Sequence, residues 1–336
     1  MNKFKKVALT ALGASLAATS ANAVDVSVSG SSEVGYATGS GNYSSTGESS
    51  AFGAGTGVSF SASGELDNGW TVSTTHATSN AFALTSSNIS VDTGSMGKVR
   101  FNRIAAAASN AYDDVLPTAW EEANDKAAHS ARGMRVADGL SSGSLSIILP
   151  TMEFGGGTFD LAADYDPNAG GAGGDPGATI ARSVGVGSGY GVTAKIGFGP
   201  LTVYGAYANE SSTKAADAID GQNVMVQAVA SLGSVSIGAG EWYANEENGG
   251  NDYSTTGMSV AFNVNDDLSL SYGELEDTRE AHGATSAVTT DITSVQIAYS
   301  MGSMAVKAKR VETDNPYNQT TKNADETTEI SVSFSF

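Results

Sequence analysis

The side chains that usually carry chemistry are few and scattered. His76, His129 and His282 stand far apart, and cysteine is absent. Without cysteine there is no thiol nucleophile, disulfide frame or cysteine zinc site. No HExxH, G-x-S-x-G or Walker A spacing occurs, so neither a metalloprotease, a serine hydrolase nor a phosphate loop is indicated. Gly185 to Gly191 is glycine-rich but lies in a strand pattern, which excludes a dinucleotide fingerprint. One stretch has ligand-like spacing. Asp164, Asp166 and Asn168 set oxygen atoms at alternate positions, as a hard cation such as calcium would need. The glycine is one place late and no glutamate closes the loop, so an EF-hand fails. These three residues are a weak calcium candidate; no other cofactor and no enzyme activity are expected.

What remains is charge. Lys and Arg number 17 against 36 Asp and Glu, giving a net charge of −19 over 336 residues. So acidic a chain is no nucleic-acid partner, because phosphate contacts need clustered Lys and Arg. Five acids, Asp113, Asp114, Glu121, Glu122 and Asp125, stand close together in one loop. Lys98, Arg100 and Arg103 come just before them, and Lys195, Lys307 and Lys309 much later.

The elements that must position these charges are strands. Residues 1–23 read as a cleaved export signal: Lys3, Lys5 and Lys6, then an apolar run from Val7 to Ala18, then Ala21-Asn22-Ala23. Three lysines and no acid leave with it, taking the net charge from −19 to −22. The apolar run is shorter than the ~20 residues of a membrane-spanning helix. From Val24 onward the pattern is period-two. Val24, Val26 and Val28 alternate with Asp25, Ser27 and Ser29, and Ile330, Val332, Phe334 and Phe336 with Glu329, Ser331, Ser333 and Ser335. Similar faces run through Val58, Phe60 and Ala62, through Met258, Val260 and Phe262, and through Val295, Ile297 and Tyr299. Such strands have one apolar and one polar face.

Seven short Gly/Asn/Asp turns alternate with eight longer polar connectors, the longest of them Ile104 to Leu140. About 310 residues at roughly 20 per strand and connector make about 16 strands. Short turns at one end and long loops at the other describe an all-β, transmembrane antiparallel barrel, with periplasmic turns and external loops. Closure is required, because an open sheet edge in lipid leaves backbone groups unpaired. A barrel of that size encloses water, so its serine- and threonine-rich face is the inner one. The domain reading is therefore 1–23 signal and 24–336 barrel. A soluble exported β-rich adhesin is the competing architecture.

Alternation also aims the bases. With Val99 and Phe101 toward lipid, Lys98 and Arg100 face the lumen; Val306 and Ala308 outward turn Lys307 and Lys309 inward. Lys195 is inward by the same rule. A charge on the lipid face costs about 2–4 kcal/mol at mid-depth. Trp70, Tyr272 and Tyr299 are placed as interfacial aromatics. No aromatic row is legible along the inner face.

Four features then make the sequence resemble the trimeric general porins of Gram-negative bacteria, the alphaproteobacterial type in particular. The chain ends in an alternating strand closed by Phe336. Cleavage after Ala23 leaves a strand at the start. Gly97-Lys98-Val99-Arg100-Phe101 looks like the family's fifth strand, and the loop after it holds Tyr112-Asp113-Asp114-Val115-Leu116-Pro117, similar to the family's acidic stretch. The resemblance implies an outer-membrane homotrimer in contact with lipid and lipopolysaccharide. It implies that 104–140 folds inward as a constriction loop, and that Phe336 helps assembly. It implies that Asp113, Asp114, Glu121 and Glu122 face Lys98, Arg100, Arg103, Lys307 and Lys309 across the narrowest point. Ions and small hydrophilic solutes would pass passively, cations preferentially given the charge. A substrate-specific channel, for sugars or one ion, is the alternative within the family. One departure stands out: no Lys or Arg occurs between Val24 and Gly97, where the family carries part of its arginine cluster.

Overall fold

The structure is a computed structural model and describes residues 24–40, 48–104, 108, 111–112, 115–127, 140, 143–167, 186–212, 221–246, 252–280, 286–321 and 324–336. The expected signal, residues 1–23, lies outside these, as do Asp113, Asp114, Asn168 and much of the longest loop.

Among the described residues, seventeen strand segments form one antiparallel sheet. They are β1 (Val24–Ser40), β2 (Glu48–Glu65), β3 (Thr71–Thr78), β4 (Leu84–Asp92), β5 (Lys98–Ile104), β6 (Ser144–Ile148), β7 (Met152–Phe154), β8 (Gly157–Asp166) and β9 (Val186–Phe198). The second half has β10 (Leu201–Ser212), β11 (Gly221–Leu232), β12 (Val235–Glu246), β13 (Tyr253–Asn263), β14 (Leu268–Arg279), β15 (Val288–Met301), β16 (Met304–Asp314) and β17 (Asp325–Ser335). Both β6 and β7 pair with β8, so they are two halves of one barrel strand and the barrel has sixteen. The break falls at Pro150, which has no N–H to give the ladder and is tolerated at irregularities of this kind. The Leu149 N–H still reaches the Leu161 carbonyl at 3.0 Å. Across from the break, Gly97 is at φ +93, and a Cβ there would lie 2.3 Å from the Ile148 carbonyl oxygen. That position admits only glycine.

Each strand pairs with its sequence neighbour, and β1 pairs with β17 as well as β2. The sheet is thereby closed. The closing register ends at the last residue: Gly30 N–H donates to the Phe336 carbonyl at 2.6 Å, and Phe336 N–H to the Gly30 carbonyl at 3.0 Å. The seven turns and eight longer connectors fall where alternation expects them.

Facing follows the pleat. Val28, Phe60, Phe198, Ile237, Met258, Val295 and Ile330 are exposed on the outside, while Ser90, Asn102, Thr193, Ser259, Ser294 and Ser331 are buried on the inside. The alternation inverts at the external ends of the later strands. There Leu275, Ile292 and Val311 are buried inside, while Glu276, Asp291 and Glu312 point out. The barrel's apolar core cluster is thus internal: Ala206, Ala208, Met225, Trp242, Leu275, Ile292 and Val311 from the wall, with Ala123 and Leu140 from the long loop.

Candidate constriction site

The long loop between β5 and β6 crosses the inner wall from β10 to β16. Its path can be followed contact by contact. The Tyr112 ring meets the Tyr204 ring of β10 edge-on at 5.0 Å. The Tyr112 carbonyl accepts a hydrogen bond from the Gln227 side-chain amide of β11. Leu116 and Pro117 lie over β12 and β13. Ala119 N–H donates to the Ser271 hydroxyl of β14 at 2.9 Å. The Gln296 carboxamide of β15 does double duty. Its oxygen accepts from Trp120 N–H at 2.9 Å and Glu121 N–H at 3.1 Å, and its nitrogen donates to the Glu121 carbonyl at 2.7 Å. Gln296 is buried, and three of its four valences satisfy backbone groups that would otherwise be stranded away from water, while its nitrogen also donates to the Ser294 hydroxyl at 3.1 Å.

The crossing ends on β16. The Lys309 ammonium, 0% exposed, donates to Glu121 Oε2 at 2.6 Å and to an Asp125 oxygen, and lies 3.4 Å from a Glu329 oxygen. It also stands over the Trp120 ring at 4.6 Å from the centroid, with Lys307 over the same ring at 5.4 Å. Cations placed over an indole face are attracted by its quadrupole. Glu121, Asp125 and Glu329 bring carboxylate oxygens close enough together to hold a metal ion, but the Lys309 ammonium fills that position. Burial pushes the Glu121 carboxyl up to about 7, helped by its hydrogen bond to Asp125 and opposed by Lys309. Burial also acts to raise Asp125, but bonds from Glu121 and Lys309 outweigh it and hold Asp125 below the usual range. The two carboxyls behave as a pair that keeps one proton near neutrality.

The other predicted charges are placed as follows. Lys98 pairs with Asp92 at 3.6 Å. Arg100 is half-buried beside Asp164. A bulge pairs Ser87 with Ile104 and Asn88 with Asn102, which leaves Arg103 as the extra residue of β5. A bulge of this kind re-aims a side chain, and the Arg103 Nε is buried. Lys195 meets Asp160 at 3.1 Å, directly across the β8–β9 ladder. Glu122 is half-buried on the loop. The candidate calcium residue Asp164 is buried on the wall, accepting from the Ser146 hydroxyl and from Ala108 N–H at 3.0 Å; Asp166 is buried on the same face.

The opposite side of the lumen differs. Among the described residues none on β1, β2 or β3 is buried. Ser61 meets Thr75 at 3.4 Å and Ser73 meets Ser90 at 2.7 Å on that inner face. It carries no lysine or arginine. So, among the described residues, the loop covers the wall from β10 to β16, while β1–β3 present a hydroxyl-rich surface with no buried residue.

The sequence reading, which found no aromatic row along the inner face, did not single out the apolar seat beneath the loop, where Trp120, Tyr204 and Trp242 lie on the lumen side. Trp242 is 1% exposed beneath the loop. The signal was present as inverted alternation, with an apolar residue between Glu274 and Glu276 and another between Arg310 and Glu312.

A family model described as Gram-negative porin matches residues 8–336. No curated protein is detectably similar in sequence. Among solved structures, the barrel is similar to an anion-selective porin from Comamonas acidovorans, with a TM-score of 0.68 at 15% identity over 94% of this chain and 100% of that one. It is similar to the trimer form of OmpT, an outer membrane protein of Vibrio cholerae, at 0.68 and 13% over 94% and 100%. OmpF of Salmonella typhi, in complex with daunomycin, gives 0.66 and 13% over 94% and 98%.

Proposed function

The chain belongs to the Gram-negative porin family, an outer-membrane channel and not an enzyme, and on that premise we propose that it is a cation-preferring general diffusion porin. The observation that carries this reading is the seating of residues 115–127 inside the barrel, bonded to β14, β15 and β16, with the β1–β3 face left to water. The loop narrows the lumen without filling it. Solutes then pass between the loop and a hydroxyl-lined wall, and size and charge select among them.

Cation preference rests on pairing. Among the described residues Lys98, Arg100, Lys195 and Lys309 each have a carboxylate neighbour, so the positive charge that these four present to the path is offset. Asp25, Glu33 and Glu122 add negative charge on the inner side.

The functional unit is a homotrimer joined through β1–β4. Thr74, His76 and Thr78 share the outward parity of Val72, and polar groups there are ill-suited to lipid. The trimeric state of OmpT is in keeping with this. Residues 1–23 direct export and are removed, and Phe336 serves assembly by closing β1 on β17.

Single-channel recording in a planar bilayer, with the reversal potential under a salt gradient, tests the reading. Three equal conductance steps and a cation-selective potential are expected. An anion-selective potential would overturn the charge argument, and absence of conductance from folded protein would overturn the channel.

A further inference from the structure

Four inward positions under the loop have no side chain. Alternation places Gly238 and Gly240 of β12, Gly257 of β13 and Gly273 of β14 on the inner face, in step with the buried Trp242, Thr255, Ser259 and Ser271. The register makes them neighbours. Gly240 lies opposite Gly257, and Ser259 lies opposite both Gly238 and Gly273. Glycine weakens a strand interior, and in a sheet it marks places where another chain segment approaches closely.

Here the approaching segment is the loop. A Cβ on Gly238 would stand 2.5 Å from Pro117 Cδ and 3.0 Å from Leu116 Cδ2. One on Gly273 would stand 2.8 Å from the Ala123 Cβ. One on Gly257 would be 2.9 Å from Leu275 and 3.2 Å from Leu116, and one on Gly240 would strike Gln227 and Trp242. By contrast, Gly53 and Gly55, inward on the open β2 wall, have nothing within 4 Å of a Cβ. Glycine under the loop is therefore a matter of contact, and glycine on the open wall is not.

We propose that Gly238, Gly240, Gly257 and Gly273 form a lane that sets how closely the loop lies against the wall, and so sets the bore of the channel. The loop stands between wall and lumen, so anything that lifts it moves it into the path. Carbon atoms pack at about 3.5–4.0 Å, so a methyl group on Gly238 or Gly273 lifts the loop by about 1 Å. These are positioning residues: Gly238, Gly257 and Gly273 touch the loop and not the solute, and Gly240 makes room for Gln227 and Trp242 of the wall beneath it. The inference rests on the porin reading, but the position of the loop can be read without conduction.

The test compares Gly238→Ala and Gly273→Ala with Gly55→Ala, each checked for the heat-sensitive electrophoretic mobility of a folded barrel. Single-channel conductance and the size limit for sugars entering liposomes should fall in the first two and stay at the parent value in the third. Ala123→Gly added to Gly273→Ala removes the opposing methyl and should restore conductance; Ala123→Gly alone leaves the wall untouched and should retain at least parental conductance. The chain has no cysteine, so spin labels at Thr118→Cys and Ser31→Cys report loop position directly, and Gly273→Ala should shorten their separation. Parental conductance and separation in folded Gly238→Ala and Gly273→Ala, or no restoration by Ala123→Gly, would overturn the lane. A parent that does not conduct would overturn the porin reading instead, and the label separation would still decide the lane.

Discussion

Lys309 and Glu121 are 188 residues apart in sequence and 2.6 Å apart in space, the ammonium of the barrel wall meeting the carboxylate of the loop that crosses it. The contact fastens the far end of the loop. Because the lysine is buried among three carboxylates and over an indole ring, it acts as an anchor beneath the loop, while Lys307, half-exposed over the same ring, remains nearer the water.

Lys309→Met should therefore loosen the loop rather than the barrel. It leaves Glu121, Asp125 and Glu329 without their shared cation. The expected loss is about 1–3 kcal/mol of loop docking, between the values for exposed and fully buried pairs. Open-channel current noise should rise and residues 115–127 should become cleavable by protease, with folded mobility in detergent unchanged.

The same cluster predicts a dependence on pH. The folded carboxyl of Glu121 titrates near 7, above its ordinary value of 4.5. Between those values the seated loop binds more protons than the released one, so the seat weakens as pH rises through that window. Channel noise should be lower at pH 5.5 than at pH 8.5, values taken roughly either side of the carboxyl's midpoint. Glu121→Gln should abolish the difference. An equal pH response in that variant would assign it to other groups.

Arg100→Ala exposes the charge of Asp164. The reversal potential under a salt gradient should move further toward the cation value, since only charges along the path count. Lys195→Ala should act in the same direction through Asp160. A shift toward anions in either variant would contradict the pairing.

Trp242→Ala tests the apolar part of the seat. The side chain is 1% exposed and lies among Met225, Leu275 and Gly257. Truncating a buried tryptophan typically costs about 3–5 kcal/mol. Because the indole lies between wall and loop, the cost should appear as protease sensitivity of the loop and as a lower thermal midpoint. Phe198→Ala, on the outer surface, should leave loop cleavage unchanged.

Much of this protein is written in its sequence. Period-two alternation, turn chemistry and a count of connectors determine a barrel of sixteen strands, and parity determines that Lys98, Arg100, Lys307 and Lys309 avoid the outer face. These are local properties: a strand's facing repeats every two residues and needs no partner to be read. Which charges meet is not local. Lys309 reads as one more wall base, and nothing near it in the chain announces Glu121, Asp125 or the ring of Trp120. Gly238, Gly257 and Gly273 read as ordinary members of a glycine-rich composition, since only the register of β12, β13 and β14 brings them side by side. Arg103 shows the boundary most plainly, because a one-residue bulge takes it off the alternation that places its neighbours. The sequence determines the wall because facing follows from the pleat. Only the tertiary structure decides where the loop rests, because that depends on register across strands β10 to β16 and on contacts between residues more than a hundred positions apart.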